Sequence, residues 1–123
     1  MIYTSYFARA NKLTDVYRIS ISVSTPQWAI IEDRMPLLAP SWDILNRYKK
    51  DGDVRKYRRD YFELLRERRD TVPVMLNRLE ELGKNHTVLL CCWESADKFC
   101  HRRLLAEFAG KDWSEYMEDN SLF

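Results

Sequence analysis

The sequence lacks three features that would mark particular classes of protein. No apolar run approaches the roughly 20 residues that cross a bilayer, and the first residues do not form the charged start and apolar stretch of a secretory signal. There are three cysteines, an odd number without paired spacing. We therefore expect no membrane partner and no disulfide scaffold, but a cytoplasmic protein with reduced thiols.

A net charge of one sign is also absent. The 20 Lys and Arg residues nearly balance the 19 Asp and Glu residues, which leaves a formal charge of +1, so no global field favours nucleic acid or a membrane surface. Two segments depart from this balance. Residues 47–59 carry seven basic side chains against two acidic ones, and residues 112–123 carry four acidic side chains and no basic one. We interpret the first as a solvated helix face and the second as a frayed acidic tail.

Three segments have the composition of β-strands. Residues 2–7 are aromatic and β-branched, residues 16–24 alternate apolar with polar side chains, and Val88–Cys92 is continuously apolar. Alternation predicts that the second strand exposes one face or forms an edge, whereas the third should be covered on both faces and lie centrally. Two-residue hairpin signals between the strands are absent, which favours parallel pairing.

Four segments have apolar residues at helical spacing, namely residues 42–50, 54–69, 72–82 and 99–109. Ser41 is positioned as the N-cap of the first, which carries Trp42 on its apolar face, and Gly83 and Gly110 are expected to end the last two. Residues 27–40, with two prolines, are predicted to form the longest irregular loop. Helices before and after the third strand predict an α/β fold, with a small, mainly parallel sheet of three to four strands flanked by helices. We expect a single domain over residues 1–123, with a tail from about residue 111.

The residues best suited to chemistry surround the end of the third strand. Cys92 ends the strand, Glu94 lies in the next loop, and Cys100, His101 and Arg102 fall at the start of the last helix. Open α/β sheets place their ligand crevices at the carboxyl ends of the strands, and the unpaired N–H groups of a helix start favour anions and thiolates. The cluster therefore predicts either a thiolate site or an anion site.

The three cysteines are expected to differ in role. Cys91 points to the face of the strand opposite Cys92 and is expected to be plain core. Neighbours on a helix diverge by about 100°, so Cys92 is a better partner for His101 than Cys100 is. Zinc ligands could come from Cys92, Cys100 and His101 with Glu94 as a fourth, but structural zinc sites have closely spaced ligand pairs, and we predict no metal.

The acid and the two arginines of the cluster also allow a specific prediction. A short loop between strand and helix should bring Glu94 within direct or one-water hydrogen-bond distance of Arg102, as an acid–guanidinium pair. In the same arrangement His101 faces the loop or the strand that contains Ser22, and Arg103 faces solvent. Alternatively, Glu94 is a general base, or a solvent-facing carboxylate that stabilises the helix start.

The chain resembles a bacterial and phage family, domain of unknown function 488, in its Cys-x-Glu and Cys-His-Arg signature. The matching segments are LLCCWE at residues 89–94 and CHRRL at residues 100–104, preceded by ISIS at 19–22 and LAPSW at 38–42. The resemblance covers about residues 2–109 and implies no activity. It does imply a Rossmann-like sheet and a site built from Cys92, Glu94, Cys100, His101 and Arg102. Many members carry a basic residue where this chain has Val23 and Ser24, so a ligand contact made there is lost or replaced.

Three functions remain open from the sequence. The first is binding of an anionic ligand, a nucleotide or nucleic-acid phosphate, at the carboxyl edge of the sheet through Arg102, Arg103, Ser5 and Ser22. The second is a thiol-dependent enzyme with Cys100 or Cys92 as nucleophile and His101 or Glu94 as base.

The third function is an interaction module that binds a partner protein or nucleic acid. Residues 27–40 and the basic helices within residues 47–69 would supply its surface. Tyr57 and Tyr61 lie among the basic residues, as on a single-strand binding surface, but they also fall on the helical stripe that the core needs. Core packing is the expected use of both rings. No cofactor is predicted for any of the three functions.

Overall fold

The structure is a computed structural model that describes residues 1–94 and 99–117. Within these residues one sheet is formed by β1 (Ile2–Tyr6), β2 (Tyr17–Ser20), β3 (Asp33–Arg34) and β4 (Val88–Cys92). The helices are α1 (Phe7–Ala10), α2 (Trp42–Asp51), α3 (Val54–Glu67), α4 (Val72–Asn85) and α5 (His101–Ala109), with a 3-10 turn at Pro36–Leu38. The predicted small parallel α/β fold is confirmed. None of the described helices combines the length and the apolar sequence that a bilayer crossing requires.

The sheet is parallel throughout, with strand order β1-β4-β2-β3. β4 pairs along its whole length with β1, from Ile2 opposite Val88 to Tyr6 opposite Cys92, and on its other side with β2. Every residue of β4 is buried, as expected for a strand covered on both faces. The central position predicted for this strand is confirmed.

The side chains of β4 contribute to two apolar cores, one on each face of the sheet. Val88 and Leu90 pack in the larger core with residues of α3, α4 and α5, whereas Leu89 and Cys91 pack in a smaller core around Phe7 of α1. The alternation follows from the two-residue period of a strand. Cys91 is thus core, as predicted.

β2 differs from the prediction for residues 16–24, since it is shorter and its polar side is not exposed. Arg18 is 8% exposed, and its guanidinium makes a salt bridge with Glu32 at 2.9 Å. It also donates hydrogen bonds to the carbonyl oxygens of Ala10 and Leu13, at 3.2 and 3.0 Å. The exposed face inferred from alternation is therefore wrong. Arg18 is covered there, and Ala10, Leu13 and Glu32 supply the hydrogen-bond and ion-pair partners that its buried charge needs.

The predicted loop at residues 27–40 is partly ordered as secondary structure. Asp33 lies opposite Ile19 in the short pairing of β3 with β2, and the 3-10 turn follows at Pro36–Leu38. Arg68 at the end of α3 holds this segment by donating hydrogen bonds to the carbonyl oxygens of Leu37 and Ala39. The irregular loop that the prolines predict is thus interrupted by a two-residue strand too short to leave a sequence signal.

Several helix ends follow the predicted capping chemistry. Ser41 Oγ accepts a hydrogen bond from the backbone N–H of Ile44 at the start of α2, and Gly52 ends that helix with φ 62°. Gly110 ends α5 with φ 67°. Both glycines adopt the left-handed conformation that other residues enter only at a cost.

Two predictions for the helices are wrong. Gly83 does not end α4, which continues to Asn85. A Cβ at this position would lie 2.9 Å from Ile2 Cγ1, so the glycine is explained by the close approach of α4 to β1. Trp42 is 53% exposed instead of packing in the core, because Ile44 takes the buried position of α2.

The segment after α5 is ordered against the outer edge of β1. The backbone N–H of Thr4 donates to the carbonyl oxygen of Ser114 at 2.9 Å, and that of Tyr116 donates to Thr4 at 3.0 Å. Glu115 lies opposite Thr4 in a parallel bridge. The frayed tail predicted from about residue 111 is therefore wrong for residues 114–116, while residues 118–123 lie outside the described part of the chain.

Candidate functional site

The candidate site lies at the carboxyl end of β4, beside the start of α5. Cys92 is the last residue of β4, and Cys100 immediately precedes α5. Between them, residues 95–98 lie outside the described part. The sheet edge and the helix start thus bring together residues that are eight positions apart in the sequence.

The sulfur atoms of Cys92 and Cys100 lie in direct contact, with the two Cα atoms 7.4 Å apart. The turn from strand to helix places these two cysteines together without a spacing motif, and the expectation that their thiols are reduced stays a prediction. Cys91 remains a free thiol, and burial raises its pKa to about 12. Adjacent cysteines therefore differ sharply, one in a pair at the site and one inert in the core.

His101 contacts Cys100 directly. Its Nδ1 lies 3.6 Å from Cys100 Sγ, and its Nε2 lies 2.6 Å from the carbonyl oxygen of Ile21. Desolvation lowers the pKa of the buried imidazole to about 4, and the Arg102 charge adds to this effect. The neutral ring must donate from Nε2 to the carbonyl, so Nδ1 presents its lone pair to the sulfur.

The contact between these neighbours corrects the sequence prediction that His101 pairs with Cys92. That prediction assumed helical geometry for both residues. Cys100 is instead the N-cap of α5, with extended φ of −152° and ψ of 154°. The 100° divergence of helical neighbours does not apply to it, and its side chain turns towards the ring.

Arg102 is fully buried, at 0% exposure, and its guanidinium links three parts of the site. Nη1 donates to Cys92 Sγ at 2.8 Å and to the backbone carbonyl oxygen of Glu94 at 2.7 Å. Nε donates to the carboxylate of Glu115 at 2.6 Å. The cation is thereby placed directly against the sulfur of Cys92.

The predicted Glu94–Arg102 carboxylate pair is not formed. Glu94 binds Arg102 through its backbone oxygen, and its side chain is exposed. Among the residues that the structure describes, the carboxylate paired with Arg102 is that of Glu115. Glu115 also lies 3.8 Å from the guanidinium of Arg103, whose side chain is 51% exposed. The expected partner was wrong because the residues after α5 return to the sheet edge and deliver a second acid.

A cavity of about 630 Å³ opens beside the thiol pair. Cys100 and His101 contribute to its wall, together with Ser22, Lys49 and Glu94. Half of the remaining lining residues are aromatic, namely Trp42, Tyr48, Tyr57, Trp93 and Phe99. Its size is within the range of small-molecule sites, about 300–1,000 Å³.

The residues predicted to bind an anion are separated in the structure. Ser22 lines the cavity, but Ser5, Arg102 and Arg103 are not among the residues of its wall. The hydroxyl groups of Ser5 and Ser22 are both buried without a hydrogen-bond partner in the described part of the chain. The four residues therefore do not converge on one described cavity.

Three side chains of the site have the donor atoms of a metal site. The sulfur atoms of Cys92 and Cys100 and a ring nitrogen of His101 lie within 4.8 Å of one another. With the thiols reduced, this set would suit a soft divalent ion such as Zn²⁺, and Nδ1 is the nitrogen not committed to Ile21. The prediction that the protein binds no metal stays a prediction.

Sequence reasoning missed Glu115 and the aromatic wall of the cavity. Glu115 belongs to an acidic stretch that is typical of a solvated tail, and no sequence pattern near it predicts a contact with Arg102. The sequence predicts core packing for Tyr57, and its ring centroid does lie 5.2 Å from that of Tyr48 at the edge of the core. The same rings also face the cavity, a double use that spacing along a helix does not reveal.

The chain matches a known protein family over most of its length. A family model described as "Active DUF488-N3 subclade" matches residues 3–112. The matched range runs from β1 through α5 and ends before Glu115. No curated protein and no solved structure gives a significant match.

Proposed function

The chain belongs to the DUF488 family, and from that premise and the geometry around Cys92 we propose that it is a thiol-dependent enzyme that exchanges disulfides. The observation that carries the proposal is the close approach of two cysteine sulfurs beside a cavity, one next to an imidazole and the other next to a guanidinium. The word "active" in the description of the matching subclade is consistent with it.

Cys100 is the residue that attacks the substrate in this proposal. It contributes to the cavity wall, whereas Cys92 is fully buried and does not. In the reduced protein, the lone pair of His101 Nδ1 is positioned to accept the proton of the Cys100 thiol. A thiol needs such a base nearby because the thiolate is the nucleophile.

Cys92 is the resolving thiol. Its sulfur lies beside the buried Arg102 guanidinium, which stabilises the thiolate without contact with solvent. Cys92 is therefore available to attack Cys100 from inside the protein, while the substrate occupies the cavity side.

The reaction balances as two exchanges. Cys100 gives its proton to His101 and attacks one sulfur of the substrate disulfide; the substrate S–S bond breaks, and the leaving thiolate takes the proton. Cys92 then loses its proton and attacks Cys100 Sγ; the Cys92–Cys100 bond forms, the bond from Cys100 to the substrate breaks, and the departing second half of the substrate takes up that proton to leave as a thiol. The substrate gains two electrons, and a dithiol reductant returns the enzyme to the reduced state.

The proposal is tested by turnover of a small disulfide. Reduction of 2-hydroxyethyl disulfide by dithiothreitol is followed with and without protein, with a chelator present so that no metal occupies the thiols. We expect acceleration by the wild type and its loss in Cys100→Ser and Cys92→Ser. Cys91→Ala is the matched control, because this neighbouring thiol is buried on the opposite face of β4, and it should retain the acceleration.

The outcomes separate a site effect from a general thiol effect. No acceleration by the wild type, or equal loss in all three variants, contradicts the exchange reaction. Loss confined to Cys91→Ala would place the reactive thiol elsewhere and contradict the assignment of Cys100.

The geometry favours the other two functions less. For an anionic ligand, Arg102 and Arg103 already face the carboxylate of Glu115, although the ligand prediction itself stays open. For a nucleic-acid surface on the basic helices, the required rings are unavailable, since Tyr57 and Tyr61 are 5% and 0% exposed. Their predicted use in the core is confirmed.

A further inference from the structure

The wall of the cavity beside Cys100 is formed largely by aromatic rings. Tyr48, Tyr57 and Phe99 contact one another, with ring centroids 5.1 to 5.3 Å apart. Trp42 and Trp93, which also line the cavity, expose 53% and 50% of their surface. Such a wall suits a flat ring, because aromatic pairs are favourable in offset or edge-to-face contact and bury a large apolar area.

One polar group in this wall lacks a partner. Ser22 is 6% exposed, and its Oγ makes no hydrogen bond within the described residues. Buried hydroxyl groups are ordinarily paired, so one that is not requires an explanation. A ligand with a donor or acceptor on its edge would supply the missing bond.

The wall of the cavity carries one formal charge of each sign. Lys49 and Glu94 are its basic and acidic members, and neither forms an ion pair with a described residue. His101 is buried and hydrogen-bonded to a backbone carbonyl. Because the two formal charges cancel, the wall favours an uncharged ligand over an anion or a cation.

We propose that this cavity binds an uncharged, planar heteroaromatic ring that packs on Tyr48 and Phe99, hydrogen-bonds Ser22 and lies against Cys100. Such a ring would carry the disulfide that the enzyme reduces. Its use as a substrate site rests on the proposed function, but binding of the ring does not.

Calorimetric titration and tryptophan fluorescence test ring binding in the reduced protein. The probe is quinazolin-4-one, a neutral bicyclic lactam without a reactive sulfur. We expect saturable binding with Kd below about 1 mM, an affinity within the range open to a ligand of this size. Two comparison probes, piperidin-2-one without an aromatic ring and quinoline-2-carboxylate with a negative charge, should bind at least about ten-fold more weakly.

Matched variants locate the probe. Ser22→Ala should weaken binding about ten-fold through the lost hydrogen bond, whereas Ser5→Ala removes an equally buried, unpartnered hydroxyl that does not line the cavity and should leave binding unchanged. Tyr48→Leu should weaken binding by a similar factor. Tyr116→Leu is its control, because this ring packs on Tyr3.

The outcomes distinguish this proposal from the proposed function. Absence of saturable binding, equal affinity for the anionic probe, or equal effects of Ser22→Ala and Ser5→Ala would overturn the assignment of the cavity. Binding with the expected variant effects, but without catalysed disulfide exchange, would support the cavity and reject the enzyme. Excess probe should also slow the reaction of Cys100 with 2,2′-dithiodipyridine, and an unchanged rate would place the ring elsewhere.

Discussion

Replacing Glu115 by Gln should destabilise the protein substantially, because it removes the carboxylate that accepts a hydrogen bond from Arg102 Nε at 2.6 Å. The Arg102 side chain is 0% exposed and that of Glu115 is 19% exposed. Breaking a fully buried pair costs about 3–5 kcal/mol. Since Glu115 is partly solvated, we expect a smaller loss, about 2–3 kcal/mol in the free energy of unfolding, or roughly 10 °C in Tm for a domain of this size.

Thermal melting followed by circular dichroism measures this loss, and Glu94→Gln is its matched control. Glu94 contacts the same guanidinium through its backbone oxygen, and its side chain is exposed. Its change to Gln should cost no more than about 0.5 kcal/mol. A Tm for Glu115→Gln within about 2 °C of the wild type, or equal losses in the two variants, would refute the assignment of Glu115 as the partner of Arg102.

Two further predictions concern stability. Burial lowers the pKa of His101 to about 4, below the value of about 6.5 in an unfolded chain, so the unfolded state binds more protons between these values and stability falls as the pH falls through this window. The part of the free energy of unfolding that is lost through protonation of His101 should reach about 2 kcal/mol near pH 5. Urea unfolding at a series of pH values should show this loss in the wild type and not in His101→Gln. An equal pH dependence in the two proteins would contradict the assignment of the loss to His101. Gly83→Ala should lower the free energy of unfolding by about 1 kcal/mol, because its Cβ meets Ile2 Cγ1 and overpacking outweighs the gain in helix propensity. In the Ile2→Ala variant, Gly83→Ala should lower the free energy of unfolding by less. If the losses of the two single variants simply add in the double variant, the side chains at the two positions do not contact each other.

Local patterns were sufficient to predict the position of the site. Val88–Cys92 reads as a buried central strand because it is apolar at every position, and Gly110 marks the end of α5 because a left-handed residue follows the helix there. The carboxyl end of that strand and the start of that helix are where the structure places Cys92 and Cys100. These features depend on residues close together in the sequence.

The contacts inside the site depended on geometry that spacing does not encode. Cys100 contacts His101 because it adopts extended backbone angles at the N-cap. Helical periodicity places Cys100 inside the helix, whereas the helix begins one residue later, at His101. Glu115 reaches Arg102 because the chain returns along β1, and an acidic tail gives no sign of that return. The exposed face inferred for β2 failed for a similar reason, since the partners of Arg18 come from the last residue of α1 and from Glu32, which precedes β3.

The two-cysteine exchange is tested most directly by the products of one reaction, that of the reduced protein with a single equivalent of 2,2′-dithiodipyridine. Both halves of the reagent should be released as thiopyridone, and mass spectrometry should find the Cys92–Cys100 disulfide without a retained pyridyl group. Cys92→Ser should stop halfway, with one half released and the other bound to Cys100. Wild-type protein that keeps a pyridyl group on Cys100, or releases both halves equally well without Cys92, would contradict the account.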